Sequence, residues 1–412
     1  MTTNRLQSHL ASERGAVIVH VSIALVGLLA FGAFVIDYGV MWSARRQAQN
    51  AADAAALAGA ISLAYVDFNN HDLARQSALA VAAQHTVWGE APDITAADVT
   101  FPVCPPGSPG AGTNSCIRVN VFRNQRAGGS PLPTFFAKLV GVDEQGVRAT
   151  ATAEALFGNS TDCVKPFAIP DKWLEQRGDE GPAGWSEEDR FERYVPNGPN
   201  RGQVYQPDAD SYPPGSGYSS TSVTLGGGDY GRRIVLKFGN PNQATAPGWY
   251  QPVVINPSEG PGGANYEANI ATCDNTFIGP GTVLEAEPGG MKGPTAHGMR
   301  DLIAQDDEAE WDPNLYGPNL GGVKGGCMAS GDCVVSPRLV AIPVYDPDAY
   351  DAGHASGRNG ITINVVKVIG FFMDDMDGDD VAGYICTYPS EANAGMGGVP
   401  GNNFVVSVAL VR

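Results

Sequence analysis

From Ala16 to Ile36 the chain reads AVIVHVSIALVGLLAFGAFVI, with no Asp, Glu, Lys or Arg. Twenty-one helical residues at ~1.5 Å each cover about 31 Å, matching the ~30 Å hydrocarbon core of a bilayer. Its clearly polar side chains, His20 and Ser22, lie near the N-terminal end, where they reach the headgroups. A cleavable leader would have a shorter apolar stretch, then a small-x-small cleavage site and a break. Here the run is full length and nothing interrupts it, so a single-pass anchor is expected. Arg5 and Arg14 precede the run and Arg45 and Arg46 follow it, which leaves the positive-inside count nearly balanced. The cysteines decide orientation: Cys104, Cys116, Cys163, Cys273, Cys327, Cys333 and Cys386 all lie beyond the run. Disulfides belong to oxidising compartments. The expectation is a short cytoplasmic tail (1–15), an inner- or plasma-membrane span, and an extracytoplasmic bulk.

Beyond Asp37 the sequence continues YGVMWSARRQAQNAADAAALAGAISLAY, free of Pro and dominated by Ala, the strongest helix former. One helix is therefore expected from about Ala16 to Ala64. Ala48, Ala51, Ala52, Ala55, Ala58 and Gly59, followed by Ser62, recur at three- and four-residue steps and form a stripe of small side chains. Such a stripe permits close approach to a helix of another copy, and self-association through this helix is one reading. Packing on the chain's own domain is the other, and the sequence leaves both open. Asp37 ends the apolar run. A carboxylate there is costly if buried, so it should sit at the interface or pair with a cation from a neighbouring subunit. Arg45 lies too far along the helix to be that partner.

Residues 66–157 read as an α/β unit. Leu73 to Trp88 has an apolar helical side, Asp98 to Val103 and Cys116 to Phe122 alternate as strands, Pro133 to Val140 fits a short helix, and VRATATAEAL alternates again. The composition shifts at GNSTDC, the expected domain boundary. Residues 158–412 are punctuated by Gly and Pro, with short β runs at Ile234–Phe238, Val253–Ile255, Leu339–Tyr345, Ile361–Phe372, Val381–Tyr388 and Phe404–Val411. Helices are expected at Ser186–Tyr194 and Thr295–Ala304, and an extended loop over 196–230. The fold class is α+β, with a β-sandwich-like C-terminal domain.

A net charge of −18 argues against nucleic acid, which needs a basic surface to release counterions. Cys104 and Cys116 bracket the loop PPGSPGAGTNS and are the expected disulfide, while Cys327 and Cys333 bracket another short loop. Seven cysteines leave at least one thiol without an intrachain bond. No HExxH, GxSxG or GxxxxGK[ST] is present, and His297 is read as a structural or surface residue. The most site-like feature is the acidic run from Asp374 to Asp380. Asp374, Asp375, Asp377 and Asp379 around Gly378 would suit Ca²⁺, which takes six to eight oxygens. They also suit a plain hairpin turn with Asp-Gly at the bend. No other cofactor is implied.

The N-terminal region resembles that of TadE/TadG-like proteins of the Tad (tight adherence, Flp-type) pilus system. The resemblance rests on Arg14-Gly15 before the apolar run, Asp37 at its exit, Arg45-Arg46 two turns on, and NAADAAALAGA from Asn50 to Ala60. It implies a pilin-like α/β unit and a membrane or pilus-associated protein that helps assemble or anchor filaments. Its partners would be other pilus or Tad secretion components, and its role would not be enzymatic. Some relatives are cut after a Gly by a prepilin peptidase, with Glu five residues beyond. Gly15 occupies the first position and His20 the second, so the anchor is expected to be retained. The Asp-x-Ser-x-Ser run of a von Willebrand A metal site, which some relatives carry, is not found. Two rival functions share the same stalk, a surface adhesin or ligand-binding head and an anchored hydrolase using carboxylates of the head.

Overall fold

In the computed structural model one helix, α1 (Arg5–Tyr65), runs through the whole N-terminal region without a break. The structure describes residues 5–412 except 67, 69, 127–128, 178–185, 187–188, 214–216, 221–227, 240–244, 317–319, 356–361, 391–402 and 412, with the backbone alone for 5–14, 140, 354 and 355. The absence of Pro and the run of Ala make α1 continuous, and its 61 residues reach about 92 Å at ~1.5 Å each. Its character changes at Asp37. From Gly15 to Ile36 almost every side chain is exposed, whereas Asp37, Val40, Ala44, Ala48, Ala51 and Ala55 are buried at helical spacing.

α1 packs against α2 (His71–Gln84), whose Ala74, Ala78 and Ala82 face it at four-residue steps. Asn70 caps α2, its Oδ1 accepting the Leu73 N–H at 3.0 Å. β1 (Val99–Thr100) and β2 (Cys116–Arg123) follow. A small ribbon of β3 (Leu132–Pro133) and β4 (Glu144–Gln145) leads to β5 (Val147–Gly158). Along β5, Val147, Ala149, Ala151 and Ala153 turn inward and Arg148, Thr150 and Thr152 outward, the two-residue period that marked it in the sequence.

The chain then builds β6 (Phe167–Pro170), β7 (Arg233–Phe238) and β8 (Trp249–Val254). Next come α3 (Gly263–Ala271), β9 (Val283–Ala286) and α4 (Lys292–Ile303). β10 (Glu310–Asp312), β11 (Gly322–Lys324), α5 (Gly326–Ser330) and β12 (Leu339–Tyr345) lead to α6 (Pro347–Ala355). The last strands are β13 (Thr362–Asp377), β14 (Asp380–Cys386), β15 (Tyr388–Pro389) and β16 (Val405–Val411).

The mixed α+β class and the β-rich C-terminal part are as expected. Among the described residues most of the C-terminal strands join in one ladder. β12 pairs with both β6 and β13, so the ladder runs round a ring of six strands, β12-β6-β8-β7-β14-β13, with β9 bridging β13 and β8. Closure leaves these strands with few open edges. Phe167, Tyr250, Phe371, Ile369 and Leu236 form its principal core with Tyr266 and Ile270 of α3 and Met299 and Leu302 of α4. α3 and α4 cross closely, since a Cβ on Gly298 would lie 2.7 Å from that of Ile270 and 2.8 Å from the Glu267 carbonyl.

β16 pairs back onto the first sheet. Assigned by sequence to the C-terminal domain, it pairs antiparallel with β5, from Val405↔Gly158 to Val411↔Thr152. The first sheet is therefore five-stranded, β1-β2-β5-β16-β15, and the strand ring lies in the chain between β5 and β16. Pairing across some 250 residues leaves no local mark, and an alternating strand looks the same in either sheet. The expected helix at Ser186–Tyr194 is not formed by its described residues; 187 and 188 lie outside them.

Candidate functional site

Asp37, expected to face headgroups or a neighbouring cation, has its partners within the chain. Its Oδ1 accepts the Phe135 N–H at 2.7 Å, and its Oδ2 accepts those of Phe136 at 3.0 Å and Ala137 at 2.6 Å. These open a single 3-10 turn, Ala137–Val140, where the sequence suggested a short α-helix. Free N–H groups at a helix start suit an anionic acceptor, and here three backbone amides stabilise the carboxylate's charge. The turn is closed on itself. Thr134 Oγ1 donates to the carbonyls of Val142 at 2.6 Å and Asp143 at 2.9 Å. Gly141, at φ 85°, takes the left-handed conformation that ends the turn. The outward side chains of Phe135, Phe136, Leu139 and Val142 are all exposed, as are Tyr38 and Trp42 on α1. Phe34, Tyr38 and Trp42 stack in a row, with centroids 5.8 and 6.5 Å apart.

The small-residue stripe is taken up by the chain's own domain. Ala48, Ala51, Ala52 and Ala55 are fully buried in one core with α2, β2 and β5, Gly59 is buried among them, and Ala58 is half-buried. A Cβ on Gly59 would lie 2.3 Å from Ile117 Cδ1 and 3.1 Å from the Ala74 carbonyl. Only glycine allows α1, α2 and β2 to approach so closely here. Of the two readings left open, the packing face is internal, which removes most of this stripe from self-association.

The acidic run forms the β13–β14 hairpin. Asp377 pairs with Asp380 and Gly378, at φ 67°, makes the bend. Buried Arg338 braces its base by donating to the carbonyls of Met373 at 2.9 Å, Asp306 at 3.0 Å, Ala309 at 2.8 Å and Asp374. Burial raises the Asp374 carboxyl, against the pull of Arg338 and Arg233. Asp379 pairs instead with Lys292 at 3.1 Å. Among the described residues, the groups whose ligand atoms gather within 4.8 Å are Cys104–Cys116–Glu154 and Asp306–Cys327–Cys333, and neither includes this run.

Both of those groups contain a disulfide, which leaves their sulfurs unsuited to a metal. Cys104–Cys116 is bonded as expected and Cys327–Cys333 likewise, each with Cα atoms 5.2 Å apart. Cys163–Cys273 is a third bridge, which spacing did not reveal. Cys386 is a buried free thiol, its pKa pushed up by desolvation. It lies on the wall of an apolar cavity of about 480 Å³ between Ile61 and Tyr65 of α1 and Tyr230, Trp311 and Leu339. His297 is exposed, 3.5 Å from Glu267.

Two features had no sequence signal beyond their residue types. Lys165 is buried beside the Cys163 bridge, its ammonium donating to the carbonyls of Asn269 at 3.3 Å and Thr272. Desolvation lowers its pKa to about 8. The Asp37 cap joins residues about a hundred positions apart.

Comparison with curated proteins finds no match, and comparison with solved structures finds none either. The stretch that unites the exposed apolar run, Asp37 and the alanine seam does match: residues 15–62 match the model of the Tad family, described as Flp pilus-assembly TadE/G-like.

Proposed function

We propose that the chain is a single-pass, membrane-anchored structural or assembly component of a Tad (Flp-type) pilus, acting through helix packing and protein contacts rather than catalysis. The observation that carries the anchor is the change in α1 at Asp37. Below it an apolar surface about 31 Å long is exposed; above it the same helix is packed into a domain. Such a surface is unfavourable in water and matches a bilayer in length. The three disulfides, all beyond the span, favour an oxidising compartment for the bulk. The family match at residues 15–62 supports the pilus role. The alanine seam sets α1 rigidly on its sheet, which leaves the head's surface to meet other pilus components.

A ligand-binding or adhesive head is the second reading, favoured by the apolar cavity beside Tyr65, whose volume suits a small molecule. Fractionation separates the two. An assembly component stays with membranes, resists carbonate extraction and is released by detergent, whereas an adhesin at a filament tip leaves with sheared filaments. Proteolysis of spheroplasts should digest residues beyond 66. If detergent alone exposes them, the head is on the cytoplasmic side and the proposal fails.

A further inference from the structure

The turn capped by Asp37 presents its apolar side chains at the height where the span ends. Leu139 is 85% exposed and Phe135 55%, with Phe136 and Val142 also exposed. Their exposure is not that of a loose loop, because six amides of the turn are bonded. Those of Phe135, Phe136 and Ala137 go to Asp37. Those of Leu139, Gly141 and Val142 go to the carbonyls of Phe136 at 3.0 Å, Lys138 at 3.1 Å and Ala137 at 3.0 Å. Entry into an apolar phase therefore strands few backbone donors, the usual obstacle to placing a loop in lipid.

We infer that residues 135–142 are a second membrane contact, dipping into the headgroup–acyl boundary of the leaflet from which α1 emerges. The inference rests on the anchored reading above. The continuity is physical, since the carboxylate that ends the span is the one holding the turn, which fixes the turn's depth relative to the span. Tyr38 and Trp42, exposed on α1 over the next ~8 Å of rise, are the amphipathic types that gather at membrane interfaces. Exposed Lys138 is placed to reach lipid phosphates, while exposed Asp143 and Glu144 follow Val142 where the chain climbs back toward β5. A bilayer contact at a second point restrains the tilt and rotation of the rod, as one helix crossing lipid alone does not.

The test uses the full chain in vesicles of phosphatidylethanolamine and phosphatidylglycerol, with single cysteines carrying an environment-sensitive fluorophore at Leu139→Cys, Leu28→Cys and Ser258→Cys. The native cysteines are bonded or buried. The Leu139 probe should be blue-shifted, quenched by spin-labelled acyl chains and protected from aqueous iodide, like the Leu28 probe and unlike the Ser258 probe. Quenching of Leu139 by iodide alone overturns the inference while leaving the anchor intact. Protection from both quenchers means that protein, such as a second copy, covers the turn, and overturns it equally. A Leu28 probe insensitive to the lipid quencher fails the anchor itself.

Discussion

Substituting Gly59 by Ala tests whether the alanine seam belongs to this chain's own fold. The added Cβ would meet Ile117 Cδ1 at 2.3 Å and the Ala74 carbonyl at 3.1 Å. Alanine in a helix interior gains about 1 kcal/mol over glycine. Against that, one extra methyl in a filled core costs ~1–3 kcal/mol. Ile117 is fully buried between the helices and the sheet, so its end cannot swing into solvent, and α2 would have to retreat to relieve its carbonyl. The net expectation is destabilisation by about 1 kcal/mol, a few degrees in Tm. Ile117→Val removes the offending Cδ1 at a cost of ~0.5–1.5 kcal/mol by itself. In that background Gly59→Ala should become neutral or stabilising, a coupling of about 1–2 kcal/mol between the two sites. Thermal unfolding of the full chain in lipid nanodiscs, followed by tryptophan fluorescence across the four variants, measures it. Equal stabilisation in both backgrounds would show that Gly59 does not face Ile117 and would return the seam to contacts between subunits.

Asp37→Asn should leave the chain folded but accelerate hydrogen exchange at Phe135, Phe136 and Ala137, because a neutral amide accepts these three donors more weakly. Lys165 predicts a pH effect of definite sign. Its pKa falls from 10.5 to about 8 on folding, so above pH 8 the unfolded state binds more protons and stability rises with pH. Between pH 8 and 10 the gain is about 2 kcal/mol, until ionisation of tyrosines such as Tyr388, raised from 10.0 to about 12 by burial, begins to oppose it. Lys165→Met should abolish that rise in denaturant titrations. Alkylation without reductant should label no cysteine in the native chain and Cys386 alone after unfolding, read by peptide mass. Calcium should leave Tm unchanged, given carboxylates spread along the β13–β14 hairpin.

What could be read from the sequence follows the range of the forces involved. α1 was readable because a Pro-free, Ala-rich run is decided locally, and β5 and β12 because alternation is local too. α6 carries a local signal: Pro347 sits in its first turn, and Asp346 before it accepts the N–H groups of Asp348 at 2.8 Å and Ala349 at 3.0 Å. α3 was harder, since its buried side is only Tyr266 and Ile270 amid Gly-rich flanks. At the site, the residue types of the stripe were visible but not which surface it met. The partners of Asp37 were invisible because they are backbone amides, which carry no side-chain signature.

The return of β16 ties these parts together. Because it lies beside β5, the strand ring is joined to the rod's sheet at both ends, through β5 leaving and β15–β16 coming back. A head on one tether could swivel about a single bond path. Two connections entering adjacent, hydrogen-bonded strands restrict that freedom, since a swivel would have to twist both together. The packing continues downward, where β5 meets α1 largely through alanines that bring the backbones close. The position of the exposed apolar stretch of α1 is thus linked to the head through the alanine seam and β5–β16 in series. On the anchored reading proposed above, this construction would hold the head at a set height and orientation relative to the bilayer.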